Sequence, residues 1–341
     1  MRSLLPAAAL VAALALPAAA SAQTTLVPTP TPTPAPTPAP PVPVPAPAAT
    51  ASLRLRLAKT LRDGGHRVQV TGRAFRARGT LTPYVAGQKV RVDLLRDGKV
   101  VRHLHPKLTP GTTGRSATFA VTIKRRRAAT YRLRAVHPGT RAQRYARSNK
   151  VTVKLIDASI AYGHGGPAVR LLQRGLRRMH YPASSSGVYD AATERAVLAW
   201  RKVTGRSRTF AADRSVLLGV LDGQGVWKVR HPHDGRHIEA DISMQVLVLV
   251  DGDNVVRIEH TSSGKPSTPT ILGRYRVYRK EPGTNAHGMV DSSYFIRGYA
   301  IHGYSSVPTY NASHGCLRVP IPDARMIYDW LHLGDIVWVQ P

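Results

Sequence analysis

The runs Ala300-Ile301-His302-Gly303 and Ser313-His314-Gly315-Cys316-Leu317-Arg318 set a histidine and the chain's single cysteine fourteen positions apart, each beside a glycine. A lone cysteine cannot close an internal disulfide, so in an exported chain it is either accidental or reactive. The flanking glycines and the histidines at 302 and 314 point to a reactive thiol. A thiol attacks as its thiolate, which is scarce near pH 7 unless a base stands beside it. An imidazole can take that proton and later return it to a leaving amine. The Ile301-His302-Gly303 stretch reads as a turn. Zinc is the competing use of His302, His314 and Cys316, but the motif contains no general-base carboxylate. A second set, His231, His233 and His237, has ligand-like spacing in a polar, Gly-containing connector and reads as a surface loop.

Strands surround these runs. Gln245-Val246-Leu247-Val248-Leu249-Val250 is a near-continuous apolar stretch, as expected of a strand buried on both faces. Asp251-Gly252 turns it into Val255-Val256-Arg257-Ile258, a hairpin. Residues 273–278 read as a further strand, Met326, Ile327, Trp330 and Leu331 as a short helix after Pro322, and Ile336-Val337-Trp338-Val339 as a closing strand.

Upstream the period changes. Val169, Leu172, Leu176 and Met179 recur at three- and four-residue spacing on one helical face. Asp190 then reads as the N-cap of a second helix carrying Thr193, Ala196, Val197 and Trp200. With Gln173, Tyr181, Gly187 and Tyr189, these residues resemble the three-helix peptidoglycan-binding domain found beside many bacterial wall enzymes. Arg201 departs from it, since that family usually has glutamine there. A bare helical spacer is the alternative.

Between residues 51 and 157, period-two alternation recurs in short runs such as Phe119, Val121 and Ile123, punctuated by Asp97-Gly98 and Pro138-Gly139. This predicts an all-β sandwich, immunoglobulin-like in architecture only, because the Cys–Trp–Cys core is missing. Residues 23–50 are almost entirely Pro, Thr, Ala and Val, a polyproline-like spacer without a core. Residues 1–22 carry Arg2, an apolar stretch and Ala20-Ser21-Ala22, the pattern of a cleaved signal peptide. An uncleaved anchor is the alternative, since about 17 apolar residues approach the length that spans a bilayer. Export places the protein outside the cytoplasm, at the cell wall, or in the periplasm where there is an outer membrane. Membrane attachment arises only if the signal segment is retained.

The formal charge of +30, from 49 basic and 19 acidic residues, favours polyanions. Export argues against nucleic acid and for anionic wall polymers or acidic wall peptides, with a merely solvated surface as the alternative. The sequence is silent on oligomeric state.

The C-terminal hundred or so residues resemble the L,D-transpeptidase (YkuD-type) catalytic domain. The agreement lies in Ser262-Ser263-Gly264-Lys265-Pro266-Ser267-Thr268-Pro269-Thr270 with Gly273, in Gly288-Met289, and in the two runs quoted at the outset, whose order and spacing are highly specific. Papain-like peptidases place the cysteine before its histidine; here the histidine comes first. The expected architecture is therefore multidomain: signal 1–22, linker 23–50, sandwich 51–157, three-helix domain 160–223, and a β-rich catalytic domain with a short helix at 237–340. The resemblance implies Cys316 as nucleophile, His302 as base, His314 and Ser313 as supports, and amides around Gly315 and Cys316 as oxyanion donors. Arg318 suits the carboxylate of a peptide stem, since guanidinium binds carboxylates in a bidentate manner. A structural salt bridge is the other use for Arg318. Tyr304, Tyr310, Gly303 and Met289 would line the cleft or frame it. No cofactor and no metal are implied. The implied activity cross-links peptidoglycan stem peptides between third residues, with acylation by carbapenems. An L,D-carboxypeptidase using water and a non-catalytic wall anchor remain open.

Overall fold

The computed structural model describes residues 48–341; the signal segment and nearly all of the Pro-rich linker lie outside them. The described residues form one compact unit with four helices, α1 Pro167–Arg178, α2 Ala191–Val203, α3 Arg214–Leu221 and α4 Ile321–Trp330. Among the described residues no helix is long and apolar enough to cross a membrane.

The strand Val246–Asp251 lies inside a five-stranded sheet ordered Asn254–His260, Val246–Asp251, Arg236–Asp241, Ile336–Gln340, Gly273–Arg276. Strand side chains alternate between faces, and here both faces are covered. Leu247 and Leu249 share a core with Ile238, Val337, Ile301, Leu317, Val319, the α4 residues Ala324 and Ile327, and Leu331 just after that helix. Val246, Val248, Val250 and Ile258 point the other way and join a core built from the helices, including Leu172, Val197, Trp200 and Leu217. The apolar run is thus continuous because neither face meets water. It starts one residue later than its composition predicts, because Gln245 has φ 61° and its side-chain amide bonds to the loop instead of extending the strand.

A second sheet, ordered Arg279–Thr284, Val290–Ile296, Tyr299–Tyr304, Leu317–Pro320, stands beside the first with α4 against it. The expected helix after Pro322 begins slightly earlier, at Ile321, with Pro322 in its first turn, where a missing N–H costs nothing. The strand from Gly273 ends at Arg276 instead of 278.

In the helical segment, Asp190 caps α2 as predicted, accepting from the Thr193 amide at 2.9 Å. Gln173 is buried and donates to the Val188 carbonyl and Thr193 Oγ1, while accepting from the Gly187 amide. Arg201 hydrogen-bonds to the Ala211 and Ser207 carbonyls and pairs with Asp213, so it ties the α2–α3 connection.

The first hundred described residues form a four-stranded and a seven-stranded sheet whose inner faces share one core, including Leu53, Phe75, Phe119, Leu94, Leu133 and Val153. This segment is not isolated from the helices: Val68, Val70 and Ile156 enter the helical core, and Asp63 forms a bidentate pair with Arg170 of α1.

Producing residues 237–340 alone strips the helices from Val246, Val248, Val250 and Ile258, each worth about 1.5–3 kcal/mol of burial. We expect that fragment to aggregate or bind hydrophobic dye strongly, while the full chain stays soluble and dye-silent under the same conditions.

Candidate active site

The strands Tyr299–Tyr304 and Leu317–Pro320 run parallel with Ile301 opposite Leu317 and His302 opposite Arg318. The Ile301-His302-Gly303 stretch is therefore strand, not the turn expected from its glycine. Gly303 fits mid-strand because a Cβ there would meet the Ala324 side chain at 2.7 Å, so its small size admits α4. Paired residues share a face. Ile301, Leu317 and Val319 face the core, which leaves His302 and Arg318 on the opposite face. Cys316 precedes the paired strand by one residue, and continuing the register sets it beside Ala300 on that same face. The Ala300 amide reaches the thiol, and Sγ lies 3.8 Å from the Gly298 carbonyl.

His302 is 3 % exposed, and its Nδ1 is 2.9 Å from the Gly303 carbonyl. That bond makes Nδ1 the donor and leaves Nε2 as the proton acceptor. Burial drives the imidazole down to about 4, reinforced by the Arg318 charge and opposed by the Gly303 hydrogen bond. Burial also pushes the Cys316 thiol up, against the pull of the Ala300 amide and Arg318. The resting pair is a neutral thiol and a neutral base.

Arg318 makes no ion pair among the described residues; its guanidinium sits 4.1 Å from the Tyr304 ring centroid, and that ring meets His302 edge-on. The salt-bridge alternative is thus not what holds it. An arginine stacked on an aromatic face retains donors for a carboxylate.

The cysteine loop is shaped from within. Ser313 Oγ accepts from the Gly315 amide at 3.1 Å and donates to the Cys316 carbonyl at 2.6 Å. The Gly315 amide is consequently engaged, which corrects its expected use as an oxyanion donor. The Cys316 amide has no acceptor among the described residues and is the donor left for a substrate oxygen. Gly315 has φ 113°, and a Cβ on it would lie 2.5 Å from the Tyr299 ring. Thr270 Oγ1 donates to the Gly315 carbonyl and accepts from the Gly264 amide, which joins the Ser262-to-Thr270 block to the loop.

The other candidates are more peripheral. His314 is exposed, with Nε2 3.2 Å from Lys265 Nζ. Met289 is half-buried in a turn organised by Asn285, and a Cβ on neighbouring Gly288 would meet Tyr304 at 3.7 Å. Tyr310 is 60 % exposed. His231 stacks on Trp338, and His237 bonds to the Gly235 carbonyl and Glu239, so their nitrogens serve the fold. Among the described residues no three His, Cys, Asp or Glu side chains cluster as a metal site. Tyr299, Thr270 and the Ala300 amide were not foreseen as parts of the site, although Thr270 and Ala300 lay inside quoted motifs.

Residues 235–339 match the YkuD family, the L,D-transpeptidase catalytic domain. The chain is 32 % identical to the L,D-transpeptidase from Xylanimonas cellulosilytica, over 52 % of this chain and 95 % of that one, with a TM-score of 0.49. It is 25 % identical to the Enterococcus faecium L,D-transpeptidase over 31 % and 49 % of the two chains (TM-score 0.28). Identity is also 25 % to Mycobacterium tuberculosis L,D-transpeptidase 1, over 32 % and 63 % (TM-score 0.27). No curated protein matches.

With His302 protonated only as pH falls through about 4 and the thiol raised, alkylation of Cys316 by iodoacetamide should be slow at neutral pH and climb only above about pH 9. A fast plateau at neutral pH would instead mark a preformed thiolate–imidazolium pair. The unfolded chain protonates this histidine first, so stability should also fall as pH drops from the ordinary imidazole range towards about 4.

Proposed function

The chain belongs to the L,D-transpeptidase family through its YkuD-type catalytic domain, and from that premise we propose that Cys316 is the nucleophile of an acyl transfer between peptidoglycan stem peptides. The observation that carries this reading is the shared face of Cys316, His302 and Arg318, with the free nitrogen of His302 being Nε2.

In the first step the thiol sulfur attacks the amide carbonyl after the third residue of a tetrapeptide stem, and His302 Nε2 takes the thiol proton. The carbonyl oxygen gains charge in front of the Cys316 amide. Collapse breaks the carbon–nitrogen bond, His302 gives its proton to the departing D-alanine amine, and a thioester remains. An amine of a neighbouring stem then attacks the thioester and loses its proton to His302, which returns it to the sulfur. The Arg318 guanidinium holds a stem carboxylate, with Tyr304 keeping it in place. Carbapenems would acylate the same sulfur.

Water in place of the second amine would make the enzyme an L,D-carboxypeptidase, and a dispensable Cys316 would leave a wall anchor. Mass spectrometry of tetrapeptide fragments incubated with the full chain decides among these. Cross-linked dimers lacking one D-alanine, absent with Cys316→Ala, are expected; tripeptide alone would mean hydrolysis, and unchanged substrate in both samples would sink the proposal.

The N-terminal features fit action outside the cytoplasm, in the wall. The helical segment would contribute peptidoglycan binding, and the sandwich segment adhesion to anionic wall polymers. Residues 51–157 hold 26 basic and 4 acidic residues, a balance of +22 within the total of +30. Arg54, Arg56, Arg76, Arg78 and Lys107 line one groove on the four-stranded sheet, and none pairs with a carboxylate among the described residues. Arg56 and Arg78 are direct cross-strand partners, a like-charge pairing that costs stability. Binding to inorganic polyphosphate should therefore weaken by about tenfold or more between roughly 50 and 200 mM salt. Replacing the four arginines by glutamine should flatten that dependence and leave turnover of soluble stems unchanged.

A further inference from the structure

Lys202 belongs to the last turn of α2, yet its ammonium ends among the strands of the catalytic segment. The side chain is 3 % exposed, and Nζ donates to the carbonyls of Gln245 and Thr261, each at 2.9 Å. The Thr261 amide also donates to the Gln245 carbonyl, so the three groups close a ring.

From that ring, bonds run to both sides of the cysteine. Thr261 Oγ1 donates to the Arg318 carbonyl at 2.7 Å, and the neighbouring Ser262 exchanges both backbone hydrogen bonds with Arg318 at 3.1 Å. The Gln245 side chain accepts from the Ser263 amide and donates to Ser263 Oγ. The Ser263 carbonyl in turn accepts the amides of Ala312 and Ser313 at 2.9 Å. One ammonium therefore grips the two residues from which the loop hangs, through Ser313 before Cys316 and through Arg318 after it.

A buried lysine is a costly way to fill space, and a methionine of similar length would pack without a charge. Burial lowers this amine to about 7, with Arg208 repelling its proton and Glu259 favouring it. The groups around it are themselves constrained. Glu259 is buried and pushed up by burial and Asp323 despite Arg257, and one of its oxygens has no partner. His260 is buried and kept neutral by burial, Lys202 and Arg195, with Nδ1 unpartnered. What lysine adds that methionine lacks is its set of N–H donors.

We infer that Lys202 is a positioning residue of the acyl-transfer site, by which the helical segment fixes Ser313 and Arg318 and with them the Cys316 loop. The inference rests on the acyl-transfer reading above, but thiol reactivity tests it separately. Two other basic residues of that segment support the same junction: Arg195 pairs with Asp323 at 3.1 Å, and Arg208 donates to the Ser243 carbonyl.

The test is Lys202→Met in the full chain, with Cys316 alkylation by iodoacetamide followed against pH, stem turnover measured, and Tm taken to confirm folding. The expected result is an alkylation midpoint moved to higher pH, because the Arg318 charge withdraws from the sulfur. A kcat reduced by about tenfold or more, with KM little changed, should accompany it. An alkylation profile and kcat that both match the wild type would overturn the inference. Should Lys202→Met not fold, Thr261→Val cuts only the hydroxyl link to the Arg318 carbonyl. The same upward shift is expected there, and its absence would overturn the inference equally. If the wild type never releases D-alanine while the variant still shifts the alkylation midpoint, acyl transfer fails and the positioning role stands.

Discussion

Burial of the strand Val246–Asp251 on both faces is the constraint from which the rest of the architecture follows. A strand whose every residue from 246 to 250 is apolar cannot leave either side to water, so something must cover each. On one side the cover is the second sheet with α4, and that sheet carries the cysteine and histidine. On the other side it is the three-helix segment. Neither cover is optional, so the helical segment is tied to the catalytic segment by packing as well as by sequence order. The cores confirm this: one runs from Val68 of the sandwich segment through the helices to Val250.

The site itself is made by a parallel strand pair. Register alone puts Arg318 beside His302, and the core on the far face leaves their side chains no other direction. The electrostatics then follow from position. His302 is buried and Cys316 half-buried, burial favours the neutral form of each, and the Arg318 cation acts on both. Acting on the thiol it opposes burial; acting on the imidazole it reinforces it. In the proposed mechanism, proton transfer from such a pair would accompany attack on the carbonyl.

Much of this was legible in the sequence. The unbroken apolar run announced a strand covered on both faces, the three-and-four spacing announced α1, and Asp190 announced the start of α2. The cysteine and histidine could be found because single residues of the right chemistry stood in short, glycine-flanked runs. What could not be read depended on partners distant in the chain. Gly303 looked like a turn, since nothing local shows that α4 packs against it. Gly315 looked like an oxyanion donor, since nothing local shows that Ser313 Oγ takes its amide. Lys202 carries no local signal in the sequence; only the fold buries it against Gln245 and Thr261. Arg201, the departure from the helical pattern, ties the α2–α3 connection.

The neutrality of the Cys316 thiol has a further consequence. Thiolates attack peroxide and disulfide sulfur far faster than thiols do, so a sulfur whose protonated form is favoured by burial is slow to reach the sulfenic state or to form mixed disulfides. With no second cysteine in the chain, an oxidised Cys316 would have no resolving partner to reduce it. The same burial that favours the neutral thiol therefore acts as an antioxidant shield for Cys316.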